Sequence, residues 1–549
     1  MALARIRDRS ITQSYRMSRG SIGVSVRRVN RDGAGSHGTL SNYTSSQVTA
    51  VTDHSQKKTI SDRAWDLYIN DGATKGLIET LAVDTAGPGL TPIVMPMTKR
   101  LGLSPAWEDD YQETMRVLWE LWGLSPSKYC DATRRMNINQ LMFWAVFSWK
   151  IEGIALFQVK MYPDVTDQRL FSLYLNPIAA HRLMTPYDMI DNPNIFDGVE
   201  IDGNGADKAY WIKKDTNNNY SSIYDTSEYF DRMPAYNPET GWKRIIACYT
   251  VRNISDYRSE SVLTSILKTI RDRHDHKDNA LVGAIVANLY TLFIKGGLRT
   301  VDTDGNTITE PMVEVDGGTI INGAPGEEPK VITTDRPGPH FKDMDYSTIE
   351  ELGMATGRGF EKVLKKWEAS FSASRMSLLQ ASKFDKVDRK ILIDNFCQPV
   401  LRYLAEEAVN RSYVNIRQVH FYQNQNKDAY TRTNWLAPPL GDVDQKKAED
   451  ADAVALANGS KTVSDICAER GEWWKDKRRQ RAKELAYDKK LEEEFDITFP
   501  ENKPDITPDD PGDEGSDNDR ENKHKDGEKN KKKEREKEQE QKKDKGGDE

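Results

Sequence analysis

An α+β fold is predicted for this chain by three features of its 549 residues. Residues 61–258 mix amphipathic helical stretches with short alternating strands. Residues 259–411 carry three long helical patterns, interrupted by an insertion rich in Thr, Val, Asp, Gly and Pro. Residues 436–496 are helical again, without strands. Each assignment rests on the period of the apolar residues, 3.6 along a helix face and 2 along a strand.

Residues 1–60 are rich in Arg, Ser, Gly and Thr and have little periodicity, which predicts a mobile arm with a short strand at 22–29. The arm is locally basic, and two readings stand: a contact to nucleic acid, or a solvated tail that orders on assembly. Order is expected from Ser61. Trp65, Leu67, Tyr68, Leu77, Ile78 and Leu81 fit helical turns that end at Gly87-Pro88-Gly89. Helices are predicted over 107–124 and 141–149, strands over 154–162 and 171–175, and a hairpin with arms at 199–201 and 209–212. Trp119, Trp122 and Trp149 have rings able to stack on bases, but their spacing with other apolar residues favours core packing.

The central stretch predicts one helix over 259–297, with Ser259 as its N-cap and Gly296-Gly297 as its stop. Such a helix would be about 50 Å long. Its middle, residues 271–278, is fully charged and is read as solvated. A helix of that length and polarity suits a ring of subunits, where Leu267, Ile270 and their apolar neighbours would lie partly between copies. In the insertion, residues 312–315 and 319–321 flank Asp316-Gly317-Gly318, a hairpin signal. Ser347-Thr348-Ile349-Glu350 fits a capping box opening the second helix, which Gly357 and Gly359 interrupt. Small residues at 368–382 predict a loop. The third helix runs to about Arg411, with a kink or restart at 394–399 because Pro399 removes a ladder hydrogen bond. A proline-bearing linker at 435–440 precedes helices over 444–457 and 462–494, broken at Asn458-Gly459 and Gly471. From residue 497 the chain is Asp, Glu, Lys, Gly and Pro, and disorder is predicted.

Several chemistries are disfavoured. Net charge is −8, and Cys130, Cys248, Cys397 and Cys467 form no C-x-x-C pair, which fits a reducing compartment. No apolar run reaches membrane-span length, and no apolar core follows the N-terminal basic residues as in a signal peptide. No P-loop, H-E-x-x-H or G-x-S-x-G motif occurs. The glycines at 353–359 follow a helix rather than a strand, so they suit no phosphate cradle. His274 and His276 are two apart and point to different helix faces, unlike a ligand pair. Asp109-Asp110 and the acids at 492–494 lie on charged helix edges, and nothing else converges on them. The residues alone therefore suggest an oligomeric structural protein, with no cofactor, no metal and no enzyme. The competing class is a metal-dependent nuclease.

A resemblance sharpens this reading. Asp66-Leu67-Tyr68, Asn70, Ala73, Gly76 and the glycine turn at 87–90 begin it. Glu152-Gly153, Gly198-Val199-Glu200-Ile201-Asp202, Gly205 and Ala209-Tyr210-Trp211-Ile212 continue it. Gly326-Glu327, Arg336-Pro337-Gly338 and Phe371-Ser372-Ala373-Ser374-Arg375 with Leu378-Leu379 follow. Val443-Asp444, Lys447, Asn458-Gly459, Thr462, Gly471 and Arg481-Ala482-Lys483-Glu484 close it. In order and spacing these resemble the lambda-type family of phage portal proteins over most of residues 61–487. The sequence departs from the family at Phe360-Glu361, where a proline usually follows the Gly-x-Gly turn, and at Arg258-Ser259-Glu260, where an Arg-Gly element is expected.

The resemblance implies a portal-type subunit. Residues 61–258 would be a mixed wing, 259–297 and 344–367 stem helices, and 298–343 a small β-rich clip. Residues 368–382 would be a channel loop, 383–435 a long helix returning to the wing, 436–496 a helical crown, and 497–549 a charged tail. It implies a ring, typically of twelve subunits, at one capsid vertex, with double-stranded DNA in its channel. The clip would dock the terminase large subunit and later head-completion or adaptor proteins, and the ring would contact major capsid or scaffold protein. The location would be the virion, with assembly in the host cytoplasm and no membrane. Lys365, Lys366, Ser372, Ser374, Arg375 and Lys383 are the channel candidates, and Glu327, Glu328, Lys330 and Arg336 the docking candidates. For Arg375 two roles stay open: a phosphate contact, or an ion pair with Asp385 or Glu361.

Overall fold

The computed structural model describes residues 54–162, 169–214, 225–239, 241–252, 254, 256–288, 292–295, 328–331, 341–366, 371–423, 425–438 and 445–496. The predicted arm strand, the Asp316-Gly317-Gly318 hairpin and the charged tail lie outside them.

Two helices open the described chain, α1 (His54–Asn70) and α2 (Gly72–Thr85). Asp71 separates them and caps α2, its carboxylate accepting from Thr74 N at 2.8 Å. Then come β1 (Thr91–Val94), the short α3 (Thr98–Leu101), α4 (Pro105–Gly123) and α5 (Ile138–Glu152). Ser104 caps α4 with Pro105 in its first turn, and Asn137 with Gln140 forms a capping box on α5. Strands β2 (Ala155–Met161) and β3 (Leu173–Ile178) follow, then β4 (Ile195–Phe196), β5 (Val199–Ile201), β6 (Asp207–Lys213), β7 (Phe230–Pro234) and β8 (Ile245–Cys248). They make a three-stranded sheet in the order β3-β2-β8 and a four-stranded sheet in the order β4-β5-β6-β7, both antiparallel.

The predicted hairpin is the β5–β6 pair. Asp202 shapes its turn by accepting from Asn204 N and Ala206 N, and Arg232 of β7 forks onto Glu200 at 2.7 and 2.9 Å. Trp119, Trp122 and Trp149 are buried in the main core between α4, α5 and the β3-β2-β8 sheet, and Trp122 donates to Leu173 O at 2.9 Å. Core packing, not base stacking, is their role.

The first central helix is shorter than predicted. Helix α6 (Leu267–Asn288) starts eight residues after Ser259. Residues 262–266 form turns because Val262 N is taken by Lys150 O at 3.0 Å and Leu263 N by Ser261 Oγ at 3.2 Å. The stretch lies against Gly153, whose φ of +83° closes α5 and where a Cβ would come within 2.2 Å of Ser259 O. Beyond α6 the chain is strand: β9 (Leu292–Lys295) pairs antiparallel with β10 (Glu328–Val331). Aromatic and β-branched residues at Phe293 and Ile294 favour that extended ladder over a last helical turn. Ile270 is buried in its own subunit, in a second core with Leu77, Ile78, Leu263, Ile349 and Leu352, and Leu267 packs against it. These are intrasubunit contacts.

Helix α7 (Phe341–Thr356) begins six residues before Ser347, so the expected capping box is helix interior; Thr348 Oγ1 donates to Met344 O. The His276 ring stacks on Phe341 at 5.2 Å, and that contact lies in the helix's first turn. A break at Gly357 leads to α8 (Phe360–Leu364). The segment expected as a loop is helical from Phe371 onward, since α9 (Phe371–Leu392) takes in the run of small residues. A π-helical turn over Ile393–Cys397 joins α9 to α10 (Gln398–Asn410) without a break. Pro399 lacks an N–H and its ring crowds the carbonyl four residues back, so the ladder widens by one residue there, with Gln398 N donating to Ile393 O.

Short helices α11 (Gln418–Tyr422) and α12 (Asn426–Tyr430) lead to β11 (Thr433–Leu436). The expected linker at 435–440 therefore begins inside a strand, one that pairs with β1 in the register Thr91↔Leu436. Helices α13 (Gln445–Ala457), α14 (Val463–Glu469) and α15 (Trp474–Phe495) close the described chain, with Thr462 capping α14 and left-handed glycines at 459 and 471. The chain divides into two units after Trp474. The described part of the second is α15, a helix with no buried residue, on which Gln480 donates to Glu484 at 2.8 Å.

Candidate functional site

The channel candidates lie at the end of α8 and along α9. Between α7 and α8 the chain turns through Gly357, whose φ of +70° suits glycine and where a Cβ would strike the Phe384 ring at 2.7 Å. This close approach brings Arg358 and α8 against α9 from Ser377 to Asp388.

Arg358 is nearly inaccessible and lies 2.5 Å from Asp385 and 3.4 Å from Asp388. Lys362 bridges Asp385 at 3.1 Å and Asp84 of α2 at 2.6 Å, while Lys150 of α5 reaches Asp388 at 2.8 Å. Arg389 completes the cluster, donating to the carbonyls of Asp84 and Thr85 where α2 ends. Burial pushes the Asp385 carboxyl up, against the pull of Arg358 and Lys362. Burial likewise pushes the Lys150 ammonium down, against the pull of Asp388. Three carboxylates and three of the cations balance, so the network is neutral apart from Arg389, which meets the negative end of a helix dipole. Removing one member of a buried pair leaves its partner uncompensated and costs about 3–5 kcal/mol. The network thus fixes α9 against α2, α5 and α8.

On this base the predicted residues separate. Lys365 caps the end of α8 with a φ of +57° and is exposed, as is Lys366. Ser372 and Ser374 lie in the first turn of α9, with Arg375 directly after them, exposed and without an ion pair among the described residues. Its two expected partners are engaged elsewhere: Asp385 by Arg358 and Lys362, and Glu361 by Ser377 Oγ at 3.0 Å. Within one subunit the ion-pair reading of Arg375 therefore fails. Lys383 is exposed two turns further along α9. Of the docking candidates, Glu328 and Lys330 sit two apart on β10, opposite Lys295 and Phe293 of β9; Glu327 and Arg336 lie outside the described residues.

Sequence reasoning missed Arg358 and Asp388, and gave Asp385 only as a partner for Arg375. A signal existed: an arginine between two glycines, and acids on the same α9 face as Ala381 and Ser382. Among the described residues no group of three or more His, Cys, Asp or Glu is placed to hold a metal ion, and no helix is long and apolar enough to cross a membrane. Cys130, Cys248 and Cys397 are buried free thiols, the first two pushed up to about 12 by burial.

The family described as "Phage portal protein, lambda family" matches residues 38–388. Among curated proteins the chain is similar to the portal protein of Escherichia phage N15, with 19% identity over 435 residues that span 75% of this chain and 80% of the relative. It is also similar to portal protein B of Escherichia phage lambda, with 18% identity over 434 residues and the same two shares. Similar solved chains come from "Virion of native gene transfer agent (GTA) particle" and "Neck of native GTA particle computed with C12 symmetry". The first has a TM-score of 0.40 and 10% identity, covering 76% of this chain and 93% of that one. The second has a TM-score of 0.34 and 12% identity, covering 69% and 95%.

Proposed function

The chain belongs to the lambda family of phage portal proteins, and from that premise we propose that copies of it close into a ring, typically of twelve, at a unique capsid vertex. The ring is the channel through which double-stranded DNA enters during packaging and leaves during ejection. The observation that carries this reading is the family match, which runs from residue 38 through α6, α7 and most of α9.

The channel wall has a simple electrostatic requirement. DNA must slide in both directions, and each phosphate neutralised adds affinity and salt dependence. A mildly acidic chain with a few inward cations meets it: Arg375, Lys365 and Lys366, with Ser372 and Ser374 beside them, guide the duplex without holding it. Lys383, two turns further along α9, is assigned instead to a contact between subunits. The β9–β10 end, carrying Glu328 and Lys330 with Glu327 and Arg336 nearby in sequence, docks the terminase large subunit and afterwards the head-completion proteins. Helices α13 to α15 form the crown on the capsid side, where the ring meets major capsid or scaffold protein. The protein hydrolyses nothing itself; the motor is a separate subunit.

Native mass measurement with electron microscopy of the purified protein tests this. A closed ring near twelve subunits is expected. A monomer or dimer with metal-dependent DNA cleavage would overturn it in favour of a capsid-associated nuclease.

A further inference from the structure

Two unlike surfaces of the α7–α9 region complement one another. The first is a groove of about 420 Å3 between α7 and α9, lined by Glu350, Met354, Phe360, Gln380 and Phe384 among others. Met354 on its rim is 74% exposed. Glu350 and Glu351 are exposed on α7 beside it.

The second surface is an edge of α9. Met376, Leu379 and Val387 recur there at helical spacing and are 68%, 53% and 59% exposed. Lys383 and Lys386 stand among them, also exposed. The groove takes Ser377, Gln380 and Phe384 from α9, so edge and groove use different faces of one helix. Neither Glu350, Glu351, Lys383 nor Lys386 makes an ion pair among the described residues.

We infer that the α9 edge of one subunit seats in the α7–α9 groove of a second copy, with Lys383 and Lys386 facing Glu350 and Glu351. The inference rests on the ring reading above and names its contact. A second copy is the occupant that fits, because both halves of the match are on one chain: apolar edge with apolar groove, two free lysines with two free glutamates. An edge-to-groove contact is heterologous, since the two patches differ, and such contacts repeat around an axis until they close. The groove is also stiff, because Arg358, held by Asp385 and Asp388, is part of its lining.

Charge reversal tests the contact in the full-length chain. Lys383→Glu with Lys386→Glu, and separately Glu350→Lys with Glu351→Lys, are each expected to lower the ring fraction at least tenfold at fixed subunit concentration. The circular dichroism of the subunits should not change, since all four side chains are exposed. Combining the four substitutions should restore rings with reversed pairing. If either reversed pair assembles as wild type does, or if the fourfold variant fails to recover, this contact is wrong while the ring stands. Wild-type protein that never forms rings would instead remove the ring reading itself.

Discussion

Arg273 of α6 lies 2.7 Å from Asp345 of α7 and, through its other side, 3.1 Å from Asp71, the cap of α2. The charged middle of α6 is therefore only partly solvated. Arg271 pairs with Asp275 on the outside at 3.0 Å, but Arg273 is buried and ties α6 and α7 to the start of α2. Replacing it by methionine keeps the length, leaves the buried Asp71 carboxylate without its cation and leaves the half-buried Asp345 with Lys277 alone. Arg273→Met should destabilise the subunit by about 3 kcal/mol, the low end for a broken buried pair because Lys277 still reaches Asp345 at 3.2 Å. Adding Asp345→Asn should cost less in the Arg273→Met background than alone. Thermal denaturation of the four proteins reads both; additive losses would mean that the pair does not couple the helices.

Arg375 is placed for a different outcome. It is exposed, and its two candidate partners are held by other residues. A planar guanidinium at the start of α9 meets a phosphate well. Arg375→Ala should leave ring formation and Tm as in wild type and lower packaged DNA or its retention. A drop in Tm with normal packaging would point to a pair across subunits instead.

Glu200 carries a pH signature. Hydrogen bonds from Arg232, with Lys208 adding to them, hold its carboxyl at about 2, below the ordinary 4.5. Because the folded value is the lower one, the contribution to stability is complete above pH 4.5 and is lost as the pH falls towards 2. Glu200→Gln lacks it at every pH. The Tm gap between wild type and variant should therefore be widest above pH 4.5 and close near pH 2. A gap that stays constant down to pH 2 would assign the β5–β7 contact to shape rather than charge.

How much was legible in the sequence depended on what each residue had to satisfy. The helices α4 and α5 and the β5–β6 hairpin were readable because capping residues, apolar period and turn chemistry agree locally. Helix α6 was misjudged because its apolar period begins before its helix does: Leu263 and Ile266 face the core from turns whose N–H groups are taken by Lys150 O and Ser261 Oγ. The strand at Trp435 was hidden because its partner, Pro92, lies far away in sequence. At the candidate site, Lys383 on a helix followed from spacing, whereas Arg375 was expected in a loop and stands on the same helix. The network beneath them did not follow from spacing, because Asp84, Lys150, Arg358 and Asp385 come from four separate segments that only the tertiary fold joins.

Gly153 offers the sharpest steric test. It closes α5 in the left-handed region, and a Cβ there would come within 2.2 Å of Ser259 O and 2.6 Å of Ser259 C. Those are backbone atoms of the stretch leading into α6, so no side chain can rotate away. Gly102 makes the control: its φ of +66° is similar, but nothing lies within 4 Å of its Cβ position. Gly102→Ala therefore bears backbone strain alone, about 1 kcal/mol. Gly153→Ala bears the same strain and must also displace residues 259–261 from α5, which adds about 1–3 kcal/mol for a forced backbone shift. Because that stretch sets the start of α6, the variant should lose ring yield together with Tm, while Gly102→Ala loses a little Tm and no rings. Equal losses in the two proteins would mean that Gly153 serves only as a helix stop and that the approach of Ser259 is not what orients α6.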